Sequence, residues 1–135
     1  MPTTKKIDVI TYKLQAKPGA LAKVYASFKD AKVNVIASWA YQLGPHDAQG
    51  HVYASDGAKA KELLTKLGAQ PKVESAIYVE DSDEIGRYAA LLKKIADAGI
   101  NLEASDAFAI GGKFATVLFA DQKEIPKLCQ VLACA

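Results

Sequence analysis

The chain is poor in the residues that carry most catalytic, metal and nucleic-acid chemistry. Its 135 residues include one tryptophan, two histidines, two cysteines and a single arginine. Sixteen of the seventeen basic residues are scattered lysines and the net charge is +2, so no arginine–aromatic stripe indicates a nucleic-acid partner. No apolar run is long enough to span a membrane, and residues 1–6 are not followed by the apolar core of a signal peptide. We therefore predict a cytoplasmic protein that binds neither nucleic acid nor a membrane.

The few histidines and cysteines do not form a recognisable site. His46 and His51 have no further donor at metal-ligand spacing, whereas a metal site needs three or four donors. Cys129 falls on an apolar helix face and Cys134 in the tail, so in a cytoplasmic chain we expect both thiols to be reduced. No phosphate-binding glycine loop and no histidine–acid–nucleophile motif is present. The sequence therefore predicts no metal, no cofactor and no catalytic residue, and a protein that is not an enzyme. Catalytic triads also assemble from residues distant in sequence, so a small enzyme on a ferredoxin-like scaffold is kept as a third interpretation, after the regulator and the interaction subunit described below.

What the sequence does contain is an internal repeat at an offset of 67 residues. Residues 16–22 (AKPGALA) correspond to residues 83–89 (DEIGRYA), and the register continues without a gap to Ser38 and Ser105. A repeat of this kind must be recognised first, because it defines the architecture. The chain is therefore predicted to hold two copies of one module.

The second half of each copy matches at an offset of 65 rather than 67. We assign the two lost residues to the loop 42–47, which faces the shorter segment 109–112. Loops tolerate changes in length, so this position supports the alignment. The predicted repeats are residues 1–72 and 73–135.

Apolar periodicity predicts the same elements in both copies. Helical faces recur at i, i+3, i+4 and i+7, and alternating runs indicate strands. The predicted order in each copy is strand, helix, strand, strand, helix, with strands over 7–14, 33–42, 51–55, 73–80, 100–109 and 113–120 and helices over 19–31, 57–67, 86–98 and 122–133. This order predicts an α+β fold of two ferredoxin-like (split βαβ) modules, each an antiparallel sheet with its helices on one face.

Each predicted module lacks a strand, because the ferredoxin-like arrangement needs a fourth one after its second helix. Only 73–80 lies between the copies, and the chain ends after the last helix. The fourth strand is therefore either absent or shared between copies. A module of about 65 residues buries little core and exposed sheet edges favour pairing, so we expect two chains to associate.

Two loop motifs and the strands that follow the first helices resemble those of the ACT domain family. The first copy has Lys17-Pro18-Gly19 close to the family's Asp-x-Pro-Gly, and the second keeps Asp83 and Gly86 but not the proline. The family's Gly-Ile-Asn-Ile is similar to residues 99–102 (GINL), whereas the first copy has lysine in place of the glycine. The tandem resembles stand-alone double-ACT proteins, which bind small ligands, usually amino acids, and regulate metabolism. The resemblance implies an amino-acid ligand, a homodimer and a separate metabolic enzyme or regulator as the target.

The loop and strand positions supply the candidate ligand-binding residues. Glycine lets the backbone approach a ligand closely, and the helix N-terminus that follows suits a carboxylate. In the family, pairing of modules implies that the asparagine region lies near a neighbour's loop, where an amide can both donate and accept. The candidates are Lys17, Pro18, Gly19, Ala20, Asn34, Val35, Asp83, Ile85, Gly86, Arg87, Asn101 and Leu102.

Several of these residues also have a purely structural interpretation. The glycines could serve only as turn residues and the asparagines only as caps. Arg87 could clamp a carboxylate bidentately or be a solvated first-turn residue, and for Asp83 we favour capping of a helix that starts near Glu84. Trp39 shares its phase with Val35, so we place it in the helix-covered core rather than against a ligand.

The sequence thus predicts a small-molecule-binding regulatory protein. The alternative is a structural interaction subunit whose ACT pairing no longer binds ligand, because both loop motifs depart from the family's pattern. The second copy, with Asp83, Gly86, Arg87 and Asn101, is the first choice for the site.

Overall fold

Within residues 2–135, ten secondary-structure elements follow one another in the order that the repeat predicts. The computed structural model describes residues 2–135, so that Met1, with which the first predicted repeat begins, lies outside the described residues. The elements are β1 (Thr3–Gln15), α1 (Ala20–Asp30), β2 (Val35–Gln42), β3 (Asp47–Ala54), α2 (Gly57–Lys66), β4 (Lys72–Ser82), α3 (Arg87–Asp97), β5 (Leu102–Ile110), β6 (Lys113–Ala120) and α4 (Ile125–Val131). The predicted strand–helix–strand–strand–helix order is confirmed in both halves.

The chain divides into two compact units that are not simply its two halves. The first unit is Asp8–Glu74, and the second combines the residues up to Ile7 with Ser75–Ala135. The predicted repeats, 1–72 and 73–135, divide the sequence by similarity and stay a prediction. The units divide the chain by packing, and their limits fall inside β1 and β4.

In the first unit, α1 and α2 cover one face of an antiparallel sheet. The strand order is β2-β3-β1. Apolar residues at alternate positions of the strands meet those at helical spacing in one core. Its members include Ile10, Tyr12, Val24, Phe28, Val52, Ala60 and Leu64, all nearly inaccessible to solvent. Leu14 of β1 packs at the margin of this core.

The second unit repeats this arrangement with α3 and α4. Its strands β4, β6 and β5 are antiparallel neighbours, and the core includes Ile77, Val79, Ile95, Leu118, Ile125 and Leu128. The segment Thr3–Ile7 of β1 belongs to this unit and β1 is the neighbour of β4 in the strand order. The fourth strand is therefore shared, the second of the two alternatives that the sequence left open.

A β-bulge at repeat-related positions reverses the side-chain phase of β2 and β5. Two residues oppose one between Val35 and Ala37, and again between Leu102 and Ala104. Val35 packs against the first core, but after the bulge Trp39 pairs with His51 on the sheet face away from the helices. The prediction that Trp39 lies in the helix-covered core was wrong, because a single extra residue exchanges the two faces of a strand.

Strand pairing also corrects the position of the two missing residues. Gln15 pairs with Asp47 and Ser82 with Lys113, so β3 and β6 are related by an offset of 66 rather than 65. One residue is therefore lost in the hairpin loop and the other after β3. The loop assignment was correct for only one of the two.

The two cysteines form a disulfide rather than remaining reduced. Cys129 and Cys134 are bonded, with their Cα atoms 5.0 Å apart. After α4 ends, the backbone N–H of Cys134 donates to the carbonyl of Cys129 at 2.9 Å, which brings the two side chains within bonding range. The expectation of free thiols came from the predicted compartment and did not include this turn.

Candidate functional site

Both predicted ligand loops end in a glycine that initiates a helix. Gly19 and Gly86 are the N-caps of α1 and α3, each with φ of 84°. This left-handed conformation favours glycine, since a side chain there would be strained. Within residues 2–135, and apart from the glycine's own chain neighbours, no atom lies within 4 Å of a Cβ built on either glycine. The turn role is thus present in both copies, and the space beside each glycine is open.

Asp83 does not cap the helix that follows it. The N–H of Arg87 donates to the carbonyl of Glu84 at 3.1 Å, and this turn delays the start of α3 to Arg87. Gly86 is the N-cap, with no side-chain hydrogen bond, while the Asp83 N–H donates to Gly112 at 3.0 Å. The capping prediction was wrong because the motif glycine, not the acid, ends the loop.

Arg87 is engaged by its own loop. One terminal nitrogen lies 3.5 Å from an oxygen of Asp81, and the other contacts the carboxylate of Glu84 and donates to Ser82 at 3.0 Å. Its Nε is enclosed without a hydrogen-bond partner in the described structure. The guanidinium therefore links the end of β4 and the loop to the start of α3, while its role as a ligand clamp stays a prediction.

Asn34 and Asn101 lie away from the glycine loop of their own unit. The N–H of Asn34 donates to the Ser55 hydroxyl at 3.2 Å, and its carbonyl accepts from the Ser55 N–H at 2.9 Å. Ser55 follows β3, whereas the Gly19 loop follows Gln15, which pairs with the other end of β3. The length of β3 separates them by roughly 23 Å. A site that joins asparagine and glycine loop would need a second module, as the resemblance implies, and stays a prediction.

A surface groove beside the first loop is lined by lysines. Lys13 from the end of β1, Lys17 from the loop and Lys23 from α1 border a cavity of about 300 Å³, which we call the first groove. Its apolar wall includes Val24 and Leu67, and the N–H of Lys13 donates to the carbonyl of Ala69 at 2.7 Å beneath it. Sequence reasoning identified Lys17 but missed Lys13 and Lys23, which belong to no motif.

The second unit has a groove in the repeat-related place. This second groove, of about 240 Å³, is lined among others by Asp81, Arg87, Lys94, Leu91 and Leu132. Leu91 and Leu132 correspond to Val24 and Leu67 of the first groove, at offsets of 67 and 65. The duplication thus preserved the shape of the site and changed its charges.

The repeated serines join each sheet to its first helix. Tyr25 of α1 contacts the Ser38 hydroxyl, and Tyr88 of α3 contacts that of Ser105. The two tyrosines occupy unrelated positions of the repeat, one helical turn apart. Tyr12 is hydrogen-bonded to Tyr25 at 3.0 Å, and burial, followed by this hydrogen bond, raises the pKa of the Tyr12 phenol well above its usual value.

His51, which the sequence gave no reason to single out, is almost fully buried on the helix-free face of the first unit. Its ring nitrogens lie 3.0 Å from the hydroxyls of Thr11 and Tyr41, and Trp39 stacks on the ring at 5.3 Å. Cross-strand pairing of Thr11 and Trp39 with His51 creates the cluster. A strand alignment could have revealed it, but a search for metal-ligand spacing could not.

Two further features of the described residues bear on function. No group of three or more histidine, cysteine, aspartate or glutamate side chains within residues 2–135 could hold a metal ion. In the same part of the chain, the helices are too short or too polar for any of them to cross a membrane.

Comparison with known proteins agrees with the duplicated fold. The chain is similar to protein BT0572 from Bacteroides thetaiotaomicron, with a TM-score of 0.86 at 18% identity, covering 96% of this chain and 88% of that one. It is also similar to the ligand-free regulatory subunit of aspartate kinase from Thermus thermophilus, with a TM-score of 0.70 at 12% identity, covering 98% and 94%. No curated protein matches the sequence. The family model described as an ACT domain pair matches residues 4–133, and the chain therefore belongs to that family.

Proposed function

We propose that the protein is a cytoplasmic regulator that binds an amino acid and passes the signal to a separate metabolic enzyme, without catalytic activity of its own. The observation that carries the proposal is the duplicated loop–helix start, with Gly19 and Gly86 in the same conformation beside open space, in an ACT domain pair. The fold shared with a regulatory subunit of aspartate kinase supports the regulatory class. A ligand would act by binding one packing state more tightly than another.

The proposed ligand contacts are the two loops and the strand starts. The first set comprises Lys17, Pro18, Gly19 and Ala20 with Asn34 and Val35, and the second comprises Asp83, Ile85, Gly86 and Arg87 with Asn101 and Leu102. Within the second set we assign Arg87 to holding the loop, because a ligand carboxylate would have to displace Asp81 and Glu84 from it. The backbone of Gly86 and the exposed Ile85 remain open to a ligand.

We also propose that the protein works as a homodimer. The edge strand β2 of the first unit exposes Ile36 and Tyr41, and the edge strand β5 of the second exposes Phe108 and Ile110. Exposed edges with apolar side chains favour pairing with another chain. Sedimentation at several protein concentrations tests this: a monomer at high concentration would contradict it.

A thermal-shift screen against the twenty amino acids tests the ligand-binding function. Saturable stabilisation by one or a few of them is expected, because a ligand that binds only the folded state raises its stability by mass action. Gly86→Val and Gly19→Val, measured in parallel, assign the site to one loop or the other. Loss of the ligand response in one variant only, while that variant is still folded, identifies the loop.

The alternative function is an interaction subunit that no longer binds ligand. The ion pairs that occupy Arg87 in the second loop favour it, since they replace interactions that a ligand could make. Absence of a shift with every amino acid, together with tight binding to a partner enzyme in a pull-down, would support this alternative and exclude the sensor.

A further inference from the structure

The first groove concentrates positive charge without neutralising it. Lys13, Lys17 and Lys23 line it, and its remaining lining residues include neither aspartate nor glutamate. Within residues 2–135, none of these three ammonium groups forms an ion pair. The three lysines come from a strand, a loop and a helix, so they approach the cavity from three sides.

Within residues 2–135, six basic residues form ion pairs, and none of the six lines the first groove. Lys66 lies 3.3 Å from Glu62, Lys93 lies 2.7 Å from Asp97, and Lys113 lies 2.9 Å from Glu80. In the second groove the guanidinium of Arg87 is paired with Asp81 of β4 and with Glu84 of the loop. Lysines elsewhere, such as Lys29 and Lys61, also form no ion pair within residues 2–135. The first groove differs because three such lysines line one cavity that no acid lines.

A site of this charge attracts anions, because like charges around one concavity raise the local positive potential. Its volume of about 300 Å³ lies at the lower end of the range typical of small-molecule sites. The walls contributed by Leu14, Val24 and Leu67 are apolar and suit a short hydrocarbon segment. The ligand that matches both properties has separated negative groups joined by methylene carbons.

We propose that the first groove binds a small dicarboxylate, with its carboxylates on Lys13, Lys17 and Lys23 and its carbon chain against the apolar wall. This proposal rests on the proposed regulatory function, and it narrows the ligand of that function from amino acids in general to small dicarboxylates. The second groove, with Arg87 already neutralised, does not share this specificity. An acidic amino acid and a dicarboxylate without an amino group present the same two carboxylates and differ in the ammonium group, and titration with both distinguishes them.

Isothermal titration calorimetry of the full chain tests the proposal. The probes are the sodium salts of L-aspartate, L-glutamate and succinate, with L-asparagine and L-glutamine as uncharged counterparts and inorganic phosphate as a compact anion. Saturable binding of at least one dicarboxylate is expected, with weaker or no binding of the other two classes. The affinity should fall as sodium chloride is raised toward 1 M, where the screening length is about 3 Å.

A charge-matched pair of variants locates the binding. The triple variant Lys13→Gln, Lys17→Gln, Lys23→Gln should weaken the dicarboxylate at least about tenfold, or about 1.4 kcal/mol. The control Lys29→Gln, Lys123→Gln, Lys127→Gln removes the same charge from positions outside the groove and should retain the wild-type affinity. Circular dichroism confirms that both variants are folded.

Equal binding by the groove variant and wild type would overturn the proposal, as would phosphate binding as tight as that of the dicarboxylate. If neutral or basic amino acids stabilise the protein and no dicarboxylate binds, the proposal fails while the regulatory function stands. If neither any amino acid nor any dicarboxylate binds, both fail.

Discussion

The two glycine loops have the same backbone conformation at their N-cap glycines but differ in electrostatics. Gly19 and Gly86 share a φ of 84°, and a groove lies beside each loop. The first groove presents three unpaired lysines, whereas the second contains an arginine already paired with two acids, Asp81 and Glu84. Duplication therefore kept the scaffold, and the two copies diverged in the charges that a ligand would meet.

One cross-strand pair differs between the two units in the sizes of both of its side chains, so that a larger residue on one strand is matched by a smaller one on the other. Tyr12 in β1 pairs with Gly50, and the related pair in the second unit is Val79 with Thr116. A Cβ at Gly50 would lie 2.2 Å from the Tyr12 ring. In the first unit a large side chain, that of Tyr12, faces a glycine without a side chain. In the second unit the same two positions hold the medium-sized side chains of Val79 and Thr116.

The largest expected effect comes from exchanging these pairs. Gly50→Thr should lower the free energy of unfolding by roughly 3 kcal/mol or more, because the new side chain overlaps a buried ring. Adding Tyr12→Val, which recreates the pair of the second unit, should restore a substantial part of that loss. Urea denaturation of the two single variants and the double variant measures the coupling, and additive losses would contradict the exchange.

Replacing the loop glycines tests whether the two loops are equivalent. Gly19→Ala and Gly86→Ala should each cost about 1–2 kcal/mol, since alanine is strained in the left-handed region. The open space around both positions predicts similar losses. Thermal denaturation compares them, and a much larger loss in one would show that its loop has a further constraint.

Removing Arg87 tests the second loop alone. Arg87→Ala should lower stability by about 0.5–1 kcal/mol at low salt, because partly exposed ion pairs contribute little. The loss should shrink as salt is added, since screening weakens the pairs. Ala20, at the related position of the first repeat, has no such pairs, and Ala20→Gly provides a control whose effect should not depend on salt.

The smallest effect concerns Glu80, which stands where the first repeat has Lys13. Hydrogen bonds from Lys113 and then from the Tyr78 hydroxyl lower the pKa of the Glu80 carboxyl. Its stabilising contribution is therefore present above the unfolded pKa of about 4.3 and is lost as the pH falls through the folded pKa. Glu80→Gln should cost a few tenths of a kcal/mol near pH 7. Denaturation between pH 7 and pH 2 should show the difference vanish, and a pH-independent difference would contradict the assignment.

The sequence predicted the scaffold well because the repeat doubled each weak signal. Helix faces, strand order and the motif glycines were recognisable from spacing alone. The sheet face on which Trp39 lies could not be predicted in this way, because the bulge before Ala37 appears only when β2 is paired with β3. The ion pairs of Arg87 and the grouping of Lys13 with Lys23 were also beyond reach, because they join residues whose proximity depends on how the strand, loop and helix pack.

The division of β1 between the units means that the second unit is assembled from both ends of the chain. Thr3–Ile7 belongs to it, and the N–H of Ala135 donates to the carbonyl of Thr4 at 2.9 Å. During synthesis Thr3–Ile7 is made before the rest of the second unit, which follows only after Asp8–Glu74. Contacts of such long sequence separation slow folding. A gene fragment that encodes only the second repeat would lack this strand, so the two copies, although similar, are not interchangeable building blocks.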